Sequence, residues 1–437
     1  MPRQANVLMG EPSGRPSGKF NELVVVSSYT RFDNLAHGPK GVESSMGMRT
    51  FKLNADTGEL LLVSVDKEPV MNPAFSRYCA KKNILYACTE SVAENGQIVS
   101  WKVDQQDGHL KRLGALDAGG TSTCYITLDR DLSSMLVVNY WDASLKVMSL
   151  DEDGLPQAIC GSFEPNAGKA MKARSDRHVN HSRNDTAAQR ERQADPHSHA
   201  LVLDPVFGRV AFVPDLGKDV ISQFLYDPKL RSLTPIGACP SGDVGAGTAL
   251  GPRYLEFHPW LPVAYVINEL SCEVAVFQFD KSVAKAIVDG SSAEGCCLRL
   301  IQSIRTVPAA FPTALNTCGR IAVHHTGRFV LAANRGHDSI VVFRIDMKTG
   351  LLELADIQHT RGKTPRHFKF DTSGQWLIAA NQDSDSLSVF HFNLAMGKLN
   401  WTGHEYSVPS PNFVECIYPT LDPCDEFSQP AKRARFC

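Results

Sequence analysis

A strand ending that recurs along the chain constrains its fold more than any other feature. Six segments align: Leu85-Tyr-Ala-Cys-Thr-Glu90, Leu136-Val-Val-Asn-Tyr140, Ala211-Phe-Val-Pro-Asp215, Tyr265-Val-Ile-Asn-Glu269, Leu331-Ala-Ala-Asn-Arg335 and Leu377-Ile-Ala-Ala-Asn-Gln382, with Asn before the terminal residue in four of the six. After each comes a polar turn and another apolar run, such as Glu273-Val-Ala-Val-Phe-Gln-Phe279 or Ser339-Ile-Val-Val-Phe343. A Gly-containing turn and a short apolar segment often follow, as in Lys348-Thr-Gly-Leu-Leu-Glu353. Equivalent positions lie 47 to 75 residues apart. Four antiparallel strands per unit at such a period describe propeller blades. The two ends of the chain hold the halves of one more unit. Ser410-Pro-Asn-Phe-Val-Glu-Cys-Ile-Tyr418 reads as a first strand with nothing after it, and Leu23-Val-Val-Val-Ser-Ser-Tyr-Thr30 as a second strand with nothing before it. Joining them closes the ring and removes the exposed edge of an open array. The expected fold is all-β, a seven-bladed β-propeller with four-stranded antiparallel blades, the last closed by the N- and C-terminal strands.

One propeller is expected over 21–420, between a disordered N-terminal arm (1–20) and a disordered C-terminal tail (421–437). Residues 163–195 interrupt the period with many Arg, Lys, His and Asn and almost no large apolar residues, so they read as a long, solvated insertion loop. Residues 281–318 form a second excursion between units, with some apolar content. The stretch before Lys19 lacks the apolar core of a signal peptide, and no run approaches the ~18 apolar residues of a membrane-crossing helix. Twelve cysteines without such a signal point to reduced thiols and a cytoplasmic setting. A formal net charge of −2 gives no global field for nucleic acid or an anionic membrane, so any electrostatic function must come from local clustering.

In a propeller the first strand of each blade lines the central channel and the second returns to the same face. The start of the first strand and the end of the second therefore meet at one mouth. An offset of sixteen residues pairs Ala74 with Glu90, Cys124 with Tyr140, His199 with Asp215, Arg253 with Glu269 and Arg366 with Gln382; Arg320 pairs with Arg335 at fifteen, and the split blade offers Asn412 with Thr30. One opening thus collects His199, Arg253, Arg320, Arg335 and Arg366, with Asp215 and Glu269 among them. Guanidinium groups grip carboxylate or phosphate bidentately, so the cluster suits a small polyanion. A His and a Glu nearby can supply a general base and a general acid. The plainer reading of these charges is salt bridges knitting adjacent blades. His197 shares a strand face with His199, but no further ligands converge on the pair and the arginines repel a cation. No metal and no cofactor are expected.

At these residues the chain resembles the seven-bladed lactonase family, which includes propeller 6-phosphogluconolactonases and carboxy-cis,cis-muconate cyclases. The resemblance runs from Leu23 to Tyr418 and rests on Pro196-His-Ser-His199, Pro214-Asp-Leu-Gly-Lys-Asp219, Gly251-Pro-Arg-Tyr-Leu-Glu-Phe-His-Pro259, Tyr265-Val-Ile-Asn-Glu-Leu270, Gly327-Arg-Phe-Val-Leu-Ala-Ala-Asn-Arg-Gly-His-Asp-Ser339 and Pro365-Arg-His-Phe368. It implies catalytic roles for His199, Arg253, Glu269 and Arg335, the arginines holding substrate carboxylate or phosphate while His199 and Glu269 handle protons. His197, Asp215, Arg320, Arg366 and Gln382 are expected to bind substrate. The pattern is broken where Tyr254 replaces the common His after Gly-Pro-Arg, and where Arg320 replaces a small or acidic residue before the Ile.

The expected activity is metal-independent hydrolysis of an anionic sugar lactone such as 6-phosphogluconolactone, which would place the protein in the pentose phosphate pathway of carbohydrate metabolism. The alternatives are the lactonising cycloisomerisation of a carboxy-cis,cis-muconate by the same constellation, and a non-catalytic interaction scaffold.

Overall fold

The alternating apolar runs pair with their sequence neighbours, and in the computed structural model twenty-eight strands among the described residues form seven four-stranded antiparallel sheets. The structure describes residues 20–165, 192–246 and 248–417. The expected arm up to residue 19, the tail, and residues 166–191 of the insertion lie outside the described residues. In chain order blades 1 to 6 cover 73–121, 123–163, 202–240, 252–305, 317–359 and 365–407. Blade 7 is the composite one, with Pro411–Ile417 as its inner strand, followed by Phe20–Ser28, Met48–Asn54 and Leu60–Val65. Its seam is antiparallel and in the expected order, with Leu23 opposite Ile417 and Val25 opposite Glu415.

The recurring Asn has a structural reason. Asn139, Asn268, Asn334 and Asn381 are fully buried at the ends of second strands. Their Nδ2 groups donate to Ala118 O (3.2 Å), Ser241 O (2.9 Å), Thr306 O (2.9 Å) and Thr360 O (3.3 Å) respectively. Ala118 lies in the last part of the preceding blade's outer strand, and Ser241, Thr306 and Thr360 lie just beyond the ends of theirs. The amide therefore ties neighbouring blades and satisfies a backbone acceptor that would otherwise be buried without a partner. Turns between third and fourth strands need a residue at positive φ, as at Gly350 (φ 77°), where an added Cβ would also meet Val263 Cγ2 at 2.6 Å.

Two segments differ from their expected form. Residues 281–318 are not an excursion between blades. They begin inside blade 4 as a helix, Lys281–Val288, and continue as that blade's fourth strand, Leu298–Arg305. The helix is capped by Asp280, whose side chain accepts from the Ser282 and Val283 N–H groups, and it buries Ala284 and Ile287. The borders of the polar insertion are also packed. Phe163 pairs with Leu145 in blade 2 and stacks edge-on against Phe224 at 4.7 Å, while the Gln193 amide donates to Leu216 O at 3.1 Å.

Candidate active site

The mouth is built on a bulge repeated around the ring. In blade 4 Pro252 pairs with Asn268 and Tyr254 with Ile267, which leaves Arg253 as the extra residue. Ala74, Cys124, Arg366 and Asn412 stand in the same place in blades 1, 2, 6 and 7. A bulge of this kind re-aims its extra side chain, here toward the channel. Blade 3 has only a two-residue inner strand, Val202–Leu203, but a bridge between Ser198 and Asp215 keeps the register and puts His199 in the bulge position.

Counting from these bridges changes three of the expected pairings. Asp215 opposes Ser198 as Asn268 opposes Pro252, so it occupies the Asn position, and Leu216 is the residue that follows at the mouth. The Asp215 carboxylate is spent on the backbone, accepting from the N–H groups of His197 (2.9 Å), Gly217 (3.1 Å) and Lys218 (3.2 Å). In blade 5 Cys318 opposes Asn334, so Gly319 is the mouth residue and Arg320 lies one step deeper, level with Tyr254. A Cβ on Gly319 would sit 2.9 Å from Arg366 O, which explains why that blade presents no side chain there. Arg320 instead reaches across to blade 4 and donates to Glu256 Oε1 at 2.6 Å, the inter-blade salt bridge of the plainer reading. In blade 7 Ser28 opposes Pro411, which makes Tyr29 rather than Thr30 the mouth residue.

His199, Arg253, Glu269, Arg335, His197 and Arg366 line one cavity of about 680 Å³. Asp215, Arg320 and Gln382 do not; the buried Gln382 turns its amide to Asp383 Oδ1 at 3.0 Å. Deeper in the channel, inner-strand rings pack on one another: Phe75 on Tyr125 (4.4 Å) and Phe413 (4.8 Å), Tyr125 on Tyr254 (5.7 Å), and His367 on Phe413 (3.7 Å). Tyr254, His367 and Phe413 also line the cavity, and such low-polarity walls strengthen the electrostatic interactions beside them.

Glu269 is the hub. Its Oε2 meets Arg253 Nε at 3.1 Å, and its Oε1 meets Arg335 Nη2 at 2.8 Å as well as Arg192 Nη1. Burial opposes its charge, but Arg192, Arg335 and Arg253 together hold its carboxyl well below the usual carboxylate range. Burial and the adjacent guanidiniums pull Arg335 down to about 10, so it is still cationic at neutral pH. His199 is pushed well below the ordinary imidazole value, first by burial and then by Arg253, and is neutral. Its ring stands edge-on to Tyr140 at 5.1 Å and to Tyr254 at 5.2 Å, and its Nδ1 is buried with no hydrogen-bond partner among the described residues. Tyr254 stacks under the Arg253 guanidinium at 4.5 Å. On the opposite wall Glu90 accepts from Tyr29 Oη at 2.6 Å and lies 3.8 Å from Arg366. His197 stacks on Tyr140 at 4.6 Å beside Trp141.

Four cavity residues were beyond reach of the sequence. Arg192 and Asp195 come from the edge of the polar insertion, and Ala36 and His37 from the loop between the first two N-terminal strands. None lies in the repeat, so no offset points to them. Tyr29 was within reach, had Ser28 been set against the recurring Asn. Among the described residues, no three His, Cys, Asp or Glu side chains are grouped to hold a metal ion, and no helix is long and apolar enough to cross a membrane.

Residues 23–416 match the family model described as lactonase, 7-bladed beta-propeller. The chain is 28% identical over 379 residues to a 6-phosphogluconolactonase of Bacillus subtilis, a match covering 86% of this chain and 95% of that one. It is 29% identical over 330 residues to a 6-phosphogluconolactonase of Formosa agariphila, covering 75% and 83%. Among solved structures, the periplasmic gluconolactonase of Pseudomonas aeruginosa has the same fold, with a TM-score of 0.72 at 24% identity over 91% of this chain and 99% of that one.

Proposed function

Because the chain belongs to the family of seven-bladed β-propeller lactonases, we propose that it hydrolyses an anionic sugar lactone of the 6-phosphogluconolactone type, without a metal, in the cytoplasm. The observation that carries this reading is the convergence of Arg192, Arg253 and Arg335 on one buried carboxylate beside the neutral His199. The three guanidiniums and Glu269 leave a net positive charge in an enclosed cavity, which favours an anion and disfavours a cation. Relatives named 6-phosphogluconolactonase support the lactone class. The buried thiols of Cys79, Cys88, Cys124, Cys272 and Cys318 support a reducing setting.

His199 is the general base. Its neutral ring accepts a proton from the water that attacks the lactone carbonyl and returns it to the ring oxygen as the ring C–O bond breaks, and a bound anion that offsets Arg253 raises its basicity from the depressed value of the free protein. Arg253, next to His199 and the deepest of the three guanidiniums, stabilises the oxyanion. Glu269 holds the guanidiniums in place. Its depressed pKa keeps it ionised, which weighs against a cyclisation in which it delivers the proton.

Purified protein offered 6-phosphogluconolactone and 3-carboxy-cis,cis-muconate, each with and without EDTA, tests the reading. The expected result is lactone hydrolysis indifferent to chelation and reduced at least ~100-fold in Glu269→Gln, since removing the hub charge misaligns the three cations that converge on it. Turnover of muconate alone would replace hydrolysis by cycloisomerisation. Loss of activity in EDTA would overturn the metal-free mechanism, and turnover of neither compound would favour the scaffold.

A further inference from the structure

We propose that Arg192 is the specificity-determining residue that selects a phosphorylated lactone over its neutral counterpart. This deepens the lactonase reading and rests on it.

The two walls of the cavity carry different charge. On one, Glu90 is balanced by Arg366. On the other, Arg192, Arg253 and Arg335 surround the carboxylate of Glu269, and with Asp195 also lining the cavity the cations still outnumber the carboxylates. A phosphate monoester carries about −1.5 to −2 at neutral pH, which that positive wall attracts. The three guanidiniums also differ in depth. Arg253 and Arg335 are 4% and 12% exposed, whereas Arg192 is 34% exposed and stands at the rim. The deep arginine beside His199 suits the lactone carbonyl. The rim arginine suits a terminal phosphate, whose remaining oxygens stay hydrated there.

Arg192 is held in place by its neighbours. The Gln193 amide donates to Leu216 O at 3.1 Å and to Asp219 Oδ1. The Asp195 carbonyl lies over Gly217 so closely that a Cβ there would come within 1.6 Å of it. Arg192 itself donates to Glu269 through Nη1 and to Tyr140 Oη through Nη2 at 3.4 Å. The fork is thus pre-oriented, and the weak Tyr140 contact is the one a phosphate oxygen can replace.

Kinetics of wild type, Arg192→Met and Arg192→Lys on 6-phosphogluconolactone and on glucono-δ-lactone test this, alongside calorimetric binding of 6-phosphogluconate and gluconate and a thermal melt. Loss of one charge-assisted contact predicts a fall of about 10- to 100-fold in kcat/KM for the phosphorylated lactone in the Met variant, with partial recovery in the Lys variant. The fall should be at least about 10-fold larger for the phosphorylated lactone than for glucono-δ-lactone, and 6-phosphogluconate binding should weaken more than gluconate binding. Equal losses for both lactones would assign Arg192 to holding Glu269 and overturn the inference, as would an unchanged preference for the phosphorylated compound. The binding arm is independent of turnover. A wild type that hydrolyses neither lactone yet binds 6-phosphogluconate through Arg192 defeats the lactonase reading and leaves the anion selectivity standing.

Discussion

At the scale of single residues, His199 carries the clearest consequence. A base must be unprotonated to act, and burial together with Arg253 keeps this imidazole neutral well below the ordinary histidine range. As pH falls from 8 through 6 the free protein therefore keeps its base, and kcat/KM is expected to stay level, declining only in more acid solution. A pH profile over that range with glucono-δ-lactone, which carries no group titrating there, checks this, and an inflection near 6.5 would exclude His199. His199→Gln should lower kcat by about 100- to 10,000-fold with little change in KM. His199, Arg253, Glu269 and Arg335 were legible because each belongs to a repeated position. Asp215 and Arg320 were misplaced by one residue each, and for a physical reason. Pro214 took the Asn's place in the alignment because the turn between the first two strands of blade 3 is one residue longer than in the other blades, with Leu203 opposite Ala211 where Phe257 faces Ala264. In blade 5 the mouth residue is Gly319, which leaves no side chain to recognise, and the nearest arginine was read in its stead.

At the scale of elements, the recurring Asn was visible as a pattern, but its partner was not, since the acceptor belongs to a different blade. Asn381 shows what the pattern is for. Its Nδ2 lies 3.3 Å from Thr360 O and 3.1 Å from Ser388 Oγ, with all three groups buried. Asn381→Ala strands the Thr360 carbonyl between blades 5 and 6 and should cost about 1–3 kcal/mol in urea unfolding. Because the adjacent Gln382 does not line the cavity, activity at moderate temperature should be retained, which separates stitching from catalysis. The bulges were equally hidden. An extra residue at each inner-strand start leaves no mark in composition, only in the offset, yet it turns Arg253 and Arg366 toward the cavity. The helix Lys281–Val288 was missed because it covers barely two turns, too few for its period to stand out within the longer excursion.

At the scale of the whole molecule, the ring holds only if the composite blade binds both neighbours. Asn412 accepts from Ser27 Oγ at 2.6 Å and donates to Pro73 O of blade 1 at 2.8 Å, and Glu415 meets Lys369 of blade 6 at 2.7 Å. A third tie, Glu22, is sensitive to pH. Its carboxylate accepts from Thr372 N at 3.0 Å and Thr372 Oγ1 at 2.8 Å in the turn of blade 6, but burial, with Asp371 nearby, raises its pKa to about 7. The folded protein therefore binds this proton more tightly than the unfolded chain, whose carboxyl titrates near 4.5. The stabilisation is complete below that value and is lost as pH rises through about 7, an effect on the order of 3 kcal/mol. Unfolding free energy should thus fall between pH 5 and 8, against the trend set by carboxylates in ion pairs. Glu22→Gln, which needs no proton to stay neutral and still accepts from Thr372, should be the more stable protein at pH 8 and should lose this part of the pH dependence. Denaturant titrations of both proteins at pH 5 and pH 8 check it. If the variant is no more stable at the higher pH, the closing seam is not held by a protonated Glu22, and the weight of ring closure falls on Asn412 and Lys369–Glu415.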